Sequence, residues 1–156
     1  MLPTLRRATE ADFALLWSLH VATMKEYVAE TWGWDDAVQQ RMFHERRKTL
    51  LGVNVICLDG KDIGWLHVRR ESDAIHIDTI AIHPSHQRQG FGTSILHELI
   101  AEADRSRLPV RLQFLKVNPV RRLYERLGFR ISGETSSHYQ MERPFDSPLK
   151  SPIIAT

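Results

Sequence analysis

The sequence predicts an α/β fold, a mixed sheet with helices packed against it. Three observations carry that reading. A hairpin signal joins two apolar runs, 53–58 and 63–70, across Asp59-Gly60. A run of period two, 74–82, stops at His83-Pro84 and leads through a glycine turn into an amphipathic helical pattern. Strand-like and helix-like periods then keep alternating to about residue 143, with no repeat and no linker between them.

The 156 residues suit one domain, 1–143, followed by a proline-bearing tail, 144–156, that reads as a loose end or an arm across a partner. With 42% hydrophobic and 26% charged residues the composition is that of a soluble globular chain rather than a disordered one. Lys and Arg number 21 against 19 Asp and Glu, so charge does not favour a nucleic-acid partner, although a local basic patch can still serve an anionic ligand. The single cysteine, Cys57, excludes an internal disulfide and sits in an apolar run as a small hydrophobe. No signal-peptide core follows Met1 and no apolar run is long enough to span a bilayer. A cytoplasmic protein with no membrane association is the expectation.

In order along the chain, 4–7 reads as a first strand, and Thr9-Glu10-Ala11-Asp12 as a capping-box variant opening a helix to about Ala29. Trp32-Gly33-Trp34 breaks that helix. Asp35 or Asp36 caps a second one reaching about Lys48, after which the hairpin follows. The run 74–82 is the central strand. From Gly92 to about Arg105, Ile95, Leu96, Leu99, Ile100 and Ala103 make one apolar helix face. Residues 110–114 give another strand. Asn118-Pro119 predicts a helix start with proline first, and Leu127-Gly128 its stop. Strands at 129–133 and 138–142 complete the sheet.

The turn Gln87-Arg88-Gln89-Gly90-Phe91-Gly92 is where chemistry is most legible. Two glycines between a strand and a helix let backbone N–H groups converge on a phosphate, and the helix that follows presents its positive dipole end. It is no Rossmann fingerprint, since the first glycine is missing, and no P-loop, since no Gly-Lys-Ser/Thr follows. Arg88 either adds a charge-assisted contact or is a solvated surface arginine.

The element order resembles that of the GNAT superfamily of N-acetyltransferases over residues 4–143. The motif Q/R-x-x-G-x-G/A is met by Gln87, Gly90 and Gly92, and Asn118 is followed by Tyr124-Glu125-Arg126-Leu127-Gly128-Phe129 at matching spacing. The resemblance implies a mostly antiparallel central sheet with a splay between the central strand and the strand after the glycine-turn helix. It implies acetyl-CoA as the acetyl donor, with pyrophosphate on the N–H groups of Arg88, Gln89, Gly90, Phe91, Gly92 and Thr93. The pantetheine arm would run along Ile80, Ala81 and Ile82 and meet Asn118. Arg121 and Arg122 would lie toward the nucleotide end, or form an ordinary charged helix face.

Acetyl transfer needs a neutral amine, a stabilised oxyanion and a proton for the leaving thiolate. A lysine-like amine costs roughly 4 to 5 kcal/mol to deprotonate at neutral pH. The resemblance makes Tyr124 the general acid; the competing reading is a core tyrosine. Asp78 and His76, two apart on one strand face, are the candidate bases, Asp78 slightly preferred, against a merely polar strand face. A backbone N–H near Ile80 or Ile82 is the expected oxyanion donor. Glu30, Trp32 and Trp34 are expected to bind the acceptor, aromatic walls with an acidic group suiting a cationic amine, or else the tryptophans staple helices to the sheet. His83 and His86 make a poor zinc signature, so no metal is expected.

The expected function is transfer of an acetyl group from acetyl-CoA to a primary amine of a small molecule or peptide, by direct attack. The rival is a non-catalytic acyl-CoA-binding sensor or regulatory module. Members of the superfamily are often dimers, so a homodimer is a further expectation.

Overall fold

A computed structural model describes residues 1–146; the predicted tail beyond them, 147–156, lies outside the described residues. The elements are β1 (Thr4–Arg7), α1 (Phe13–Trp32), α2 (Asp36–Arg46), β2 (Val53–Leu58), β3 (Lys61–Arg70), β4 (Ile75–Ile82), α3 (Phe91–Ser106), β5 (Val110–Leu115), α4 (Arg121–Arg126), β6 (Arg130–Glu134) and β7 (His138–Arg143). One sheet runs in the order β1-β2-β3-β4-β5-β7-β6. Among the described strands β4 and β5 alone pair in parallel; every other neighbour is antiparallel. Among the described residues no helix is long and apolar enough to cross a membrane.

Local chemistry fixes the ends of the elements. The Thr9 N–H donates to the Asp12 carboxylate at 2.8 Å, closing the capping turn before α1. Arg6 grips the same carboxylate with both Nη atoms, at 3.0 and 2.9 Å, and holds it below the usual carboxylate range against the opposing effect of burial. Gly33 stops α1 at φ 85°, so the helix runs to Trp32 rather than to the Ala29 that the sequence pattern predicts. Asp35 caps α2 by accepting the Val38 N–H at 3.0 Å. Asp59 and Gly60 both take positive φ in the β2–β3 hairpin.

One boundary differs in kind. Asn118 does not cap α4: its carbonyl accepts the Val120 N–H at 2.9 Å in a tight turn, and the helix begins only at Arg121 with Val120 as its cap residue. Pro119 therefore belongs to the approach rather than to the first helical turn.

The two sheet faces bury separate cores. Ile75, Ile77, Ile82, Leu96, Leu99 and Phe129 pack under α3 and α4. Leu16, Leu19, Phe43, Val53, Trp65 and Ala81 pack under α1 and α2. These assignments reveal a parity change within β4. Ile75 and Ile77 share a face with Ile80 and Ile82, which strict alternation forbids. The register shows how: His67 pairs with Thr79 and Val68 with Ile77, leaving Asp78 as an extra residue.

Beside the α1–α2 core, Trp17, His20, Trp34 and Phe43 form an aromatic cluster. Trp17 lies 5.9 Å from Trp34 and His20 lies 5.0 Å from Phe43. Burial, helped by Arg47 and Arg46, pushes the His20 imidazole down to about 4.

Two outcomes follow for stability. A Cβ on Gly64 would stand 2.2 Å from the Ala81 carbonyl oxygen across the β3–β4 pair. Gly64→Ala should therefore lower stability by about 1 to 3 kcal/mol in a urea titration. The unfolded His20 takes a proton near 6.5, the folded one near 4. Its contribution is thus fully present above pH 6.5 and lost as pH falls toward 4. Between pH 7 and pH 5 the wild type should lose about 2 kcal/mol more than His20→Phe; equal losses would show that His20 does not carry the acid sensitivity.

Candidate active site

The parallel register of β4 and β5 covers just three pairs, Ile75 with Val110, His76 with Arg111 and Ile77 with Leu112. Beyond them β4 continues to Ile82 and β5 to Leu115 without a further pair between them. A cleft of about 1020 Å³ opens along this stretch. Its floor is Asp78, Thr79, Ile80, Ala81 and Ile82; Gln87, Arg88, Asn118 and Tyr124 stand on one side, and His20, Met42, Phe43, Arg46 and Arg47 on the other.

The glycine turn lies where β4 leaves the cleft. Arg88 at φ 63° and Gly90 at φ 86° are both left-handed, so the chain curls into a concave run of amides. The first intrahelical bond of α3 runs from the Ser94 N–H to the Gly90 carbonyl. None of the N–H groups from Arg88 to Thr93 has a protein acceptor among the described residues. Gln87 turns the other way: its side-chain amide donates to the Ile82 carbonyl at 2.8 Å and ties the turn to the strand end. Gln87 thus shapes the turn rather than offering itself to a phosphate. Gly92 packs against Ile82, its would-be Cβ 3.6 Å from that side chain. Arg88 is exposed and ion-paired to nothing among the described residues.

Tyr124 is buried, its ring 5.8 Å from Phe114 and 5.5 Å from Phe129. Its hydroxyl has no hydrogen bond to any described residue, while the side chain lines the cleft. Burial pushes the phenol up to about 12, so it is protonated throughout the neutral range. Asn118 also lines the cleft, with no side-chain hydrogen bond to any described residue.

Other predicted residues fare differently. Asp78 lines the cleft, but Arg69 holds both its oxygens at 2.6 and 3.1 Å. His76 stands outside the cleft, in the adjoining groove, 3.4 Å from Glu71. Glu71, Asp73 and His76 carry ligand atoms within 4.8 Å of one another, and the two carboxylates already pair with Arg69 and Arg111. Glu30 is exposed and outside the cleft. Trp34 stacks on Trp17 and donates to Asp36 at 3.2 Å, so it fastens α1 to α2 rather than walling the cleft. Trp32 is on the cleft rim, 5.8 Å from His138. Arg121 pairs with Glu125 one turn on, and its guanidinium lies 5.3 Å from the Tyr139 ring.

The structure adds residues that the sequence reading does not single out. His67 lies on β3 with Nε2 3.9 Å from an Asp78 oxygen, and burial lowers its pKa against the pull of that carboxylate. Arg47 lies against Phe43 and Trp65, 4.0 and 4.8 Å from their ring centres. The available signals are weak: His67 shares the parity of Trp65 on β3, and Arg46-Arg47-Lys48 looks like an ordinary basic helix end.

The mycothiol acetyltransferase of Saccharomonospora viridis is 31% identical over 62 residues, covering 35% of this chain. The chain spans only 20% of that relative's length. The PaiA N-acetyltransferase of Thermoplasma acidophilum, solved in complex with coenzyme A, superposes with a TM-score of 0.71 at 17% identity, covering 93% of this chain and 100% of that one. An acetyltransferase of Thermus thermophilus gives 0.74 at 16% identity over 93% and 98% of the two chains. The ribosomal-protein-S18-alanine N-acetyltransferase of Escherichia coli gives 0.68 at 19% identity over 94% and 96%. At these identities the superpositions show a shared α/β fold. The family model described as the acetyltransferase (GNAT) domain matches residues 50–131, more than half of the sequence and the whole stretch from β2 through the glycine turn into β6, and so the chain belongs to the GNAT acetyltransferase family.

Proposed function

We propose that this protein transfers an acetyl group from acetyl-CoA to a primary amine of a small molecule or peptide, by direct attack with both substrates bound. One observation carries the reading: a row of N–H donors from Arg88 to Thr93, unpaired among the described residues, adjoins a cleft that Tyr124 also lines. The donors and the α3 dipole suit a pyrophosphate. The β4 backbone from Ile80 to Ile82, unpaired with β5, and Asn118 suit an amide-bearing arm that continues the sheet. The coenzyme A in the Thermoplasma acidophilum neighbour supports the same donor.

The donor supplies an activated thioester; the chain's residues do the rest. The amine loses its proton as nitrogen attacks. Arg69 occupies the Asp78 oxygens, and His67, its pKa lowered by burial, lines the adjoining groove rather than the cleft, so the proton leaves through water that His67 can relieve from beyond Asp78. Backbone N–H groups of β4 beyond Ile77 are available to the developing oxyanion. Tyr124 then serves the leaving sulfur. A phenol near 12 facing an ordinary thiolate near ~8.5 gives up its proton uphill by about 5 kcal/mol. Its first contribution is therefore a hydrogen bond that strengthens as charge builds on sulfur, with proton transfer late and replacement from water.

Thiol release over an amine panel tests the activity. CoA binding without thiol release from any amine would point instead to an acyl-CoA-binding module. Tyr124→Phe should lower kcat by about 10²-fold with the CoA dissociation constant within about twofold of wild type; an unchanged kcat would remove the general-acid role. Gly90→Val, which forces a branched residue to φ 86°, should weaken CoA at least about tenfold by titration calorimetry.

A further inference from the structure

Resting on the proposed transferase reading, we infer that the acceptor is a primary amine that also carries a carboxylate, which the Arg47 guanidinium receives on the α2 side of the cleft. Of the arginines described in the cleft wall, Arg47 is the enclosed one: Phe43 and Trp65 flank its guanidinium, and its Nη1 donates to the Phe43 carbonyl at 3.0 Å. Its Nε is buried and has no hydrogen-bond partner among the described residues. No carboxylate of the described residues lies within ion-pair distance of it. A half-buried charge held in this way is costly unless an anion completes it, and a planar guanidinium is shaped to take a carboxylate with two parallel hydrogen bonds.

The surrounding charges favour the same conclusion. Arg46, with no ion-pair partner among the described residues, is next to Arg47 on the cleft wall. Asp78, the only carboxylate of the described residues that lines the cleft, is already held by Arg69 through two hydrogen bonds. The acidic residue expected to attract a cationic acceptor, Glu30, is outside. A polyamine would meet arginines and no free anion, whereas an amino acid can place its carboxylate on Arg47 and its amine over the cleft floor. Burial, reinforced by Arg46, lowers Arg47 to about 10, the direction expected of a cation short of a counter-ion.

The test compares L-methionine, L-phenylalanine and 4-aminobutyrate, each against its amide, at a pH low enough to keep both amines protonated because the amide also lowers the amine pKa, with a dipeptide ending in a free carboxylate and spermidine as further arms. Calorimetry on the CoA-loaded protein reads binding, and thiol release reads transfer. The acids should bind at least about tenfold tighter than their amides, and Arg47→Gln should bring that ratio to about one. Arg47→Lys, which keeps the charge and loses the fork, should fall between, and exposed Arg46→Gln should lower the ratio about threefold should Arg47 variants fail to fold. A free amino acid preferred to the dipeptide assigns the site to a small molecule, and the reverse assigns it to a chain terminus. Amides or spermidine binding as well as the acids, or a ratio that survives Arg47→Gln in folded protein, would overturn the inference. No binding by any acid while CoA binds and an amine releases thiol would overturn it and leave the transferase reading intact. Acids that bind in an Arg47-dependent way while neither they nor any other amine releases thiol would sustain the anion site, overturn its role in holding an acceptor and sink the transferase reading.

Discussion

The site depends on one extra residue in one strand. Asp78 bulges out of β4 opposite β3, and from that point the strand's side chains exchange faces. Before the bulge, Ile75 and Ile77 face α3 in step with β5. After it, Ile80 and Ile82 take that face, one residue out of phase. A parallel ladder needs both strands in phase, and the pairing with β5 ends at Ile77 and Leu112. The bulge thus keeps β4 apolar toward α3 along its whole length while leaving an open seam in the middle of the sheet. Backbone groups along such a seam need partners from water or a ligand.

What faces the seam is set by the elements that leave it. The chain turns from Ile82 into the left-handed residues Arg88 and Gly90, and the Gln87 side chain locks that turn to the Ile82 carbonyl. The row of free amides is therefore fixed relative to the strand edge before any ligand arrives, which limits the ordering cost of binding. Tyr124 is fixed by Phe114 and Phe129 on a short helix whose start is delayed to Arg121. That delay keeps Asn118 and Pro119 in a turn that lines the cleft rather than in a helix with its own hydrogen bonds to satisfy.

Local signals are legible in the sequence and tertiary ones are not. The Asp59-Gly60 hairpin, the Asp35 cap and the α3 face depend on neighbours a few residues away, and they stand where the pattern puts them. The glycine turn is readable because left-handed backbone favours glycine at Gly90. Asn118 misleads because an Asn-Pro pair signals a helix start and a turn equally, and only the diverted carbonyl tells them apart. Trp34 and Glu30 are expected at the acceptor, yet stacking on Trp17 pulls one inward and helix phase leaves the other on the surface. His67 and Arg47 give only weak signals because their meaning lies in neighbours distant along the chain, Asp78 for one and Trp65 for the other.

The ion pair at the bulge governs the charge of the α2 side of the cleft. An extra strand residue has no cross-strand partner to pack against, so a charged side chain held from the neighbouring strand is a stable way to finish it. Arg69 provides that hold, and the Asp78 contact raises the Arg69 affinity for its proton against the opposing effect of burial. The consequence reaches beyond the strand. With Asp78 engaged, it offers His67 only a longer contact at 3.9 Å, too weak to outweigh burial, so the imidazole stays neutral and able to accept a proton. Nor can Asp78 neutralise Arg47. The residue that opens the seam therefore also decides that the cleft's leftover charge is positive, in a position where the aromatic faces of Phe43 and Trp65 offset part of the cost of holding it.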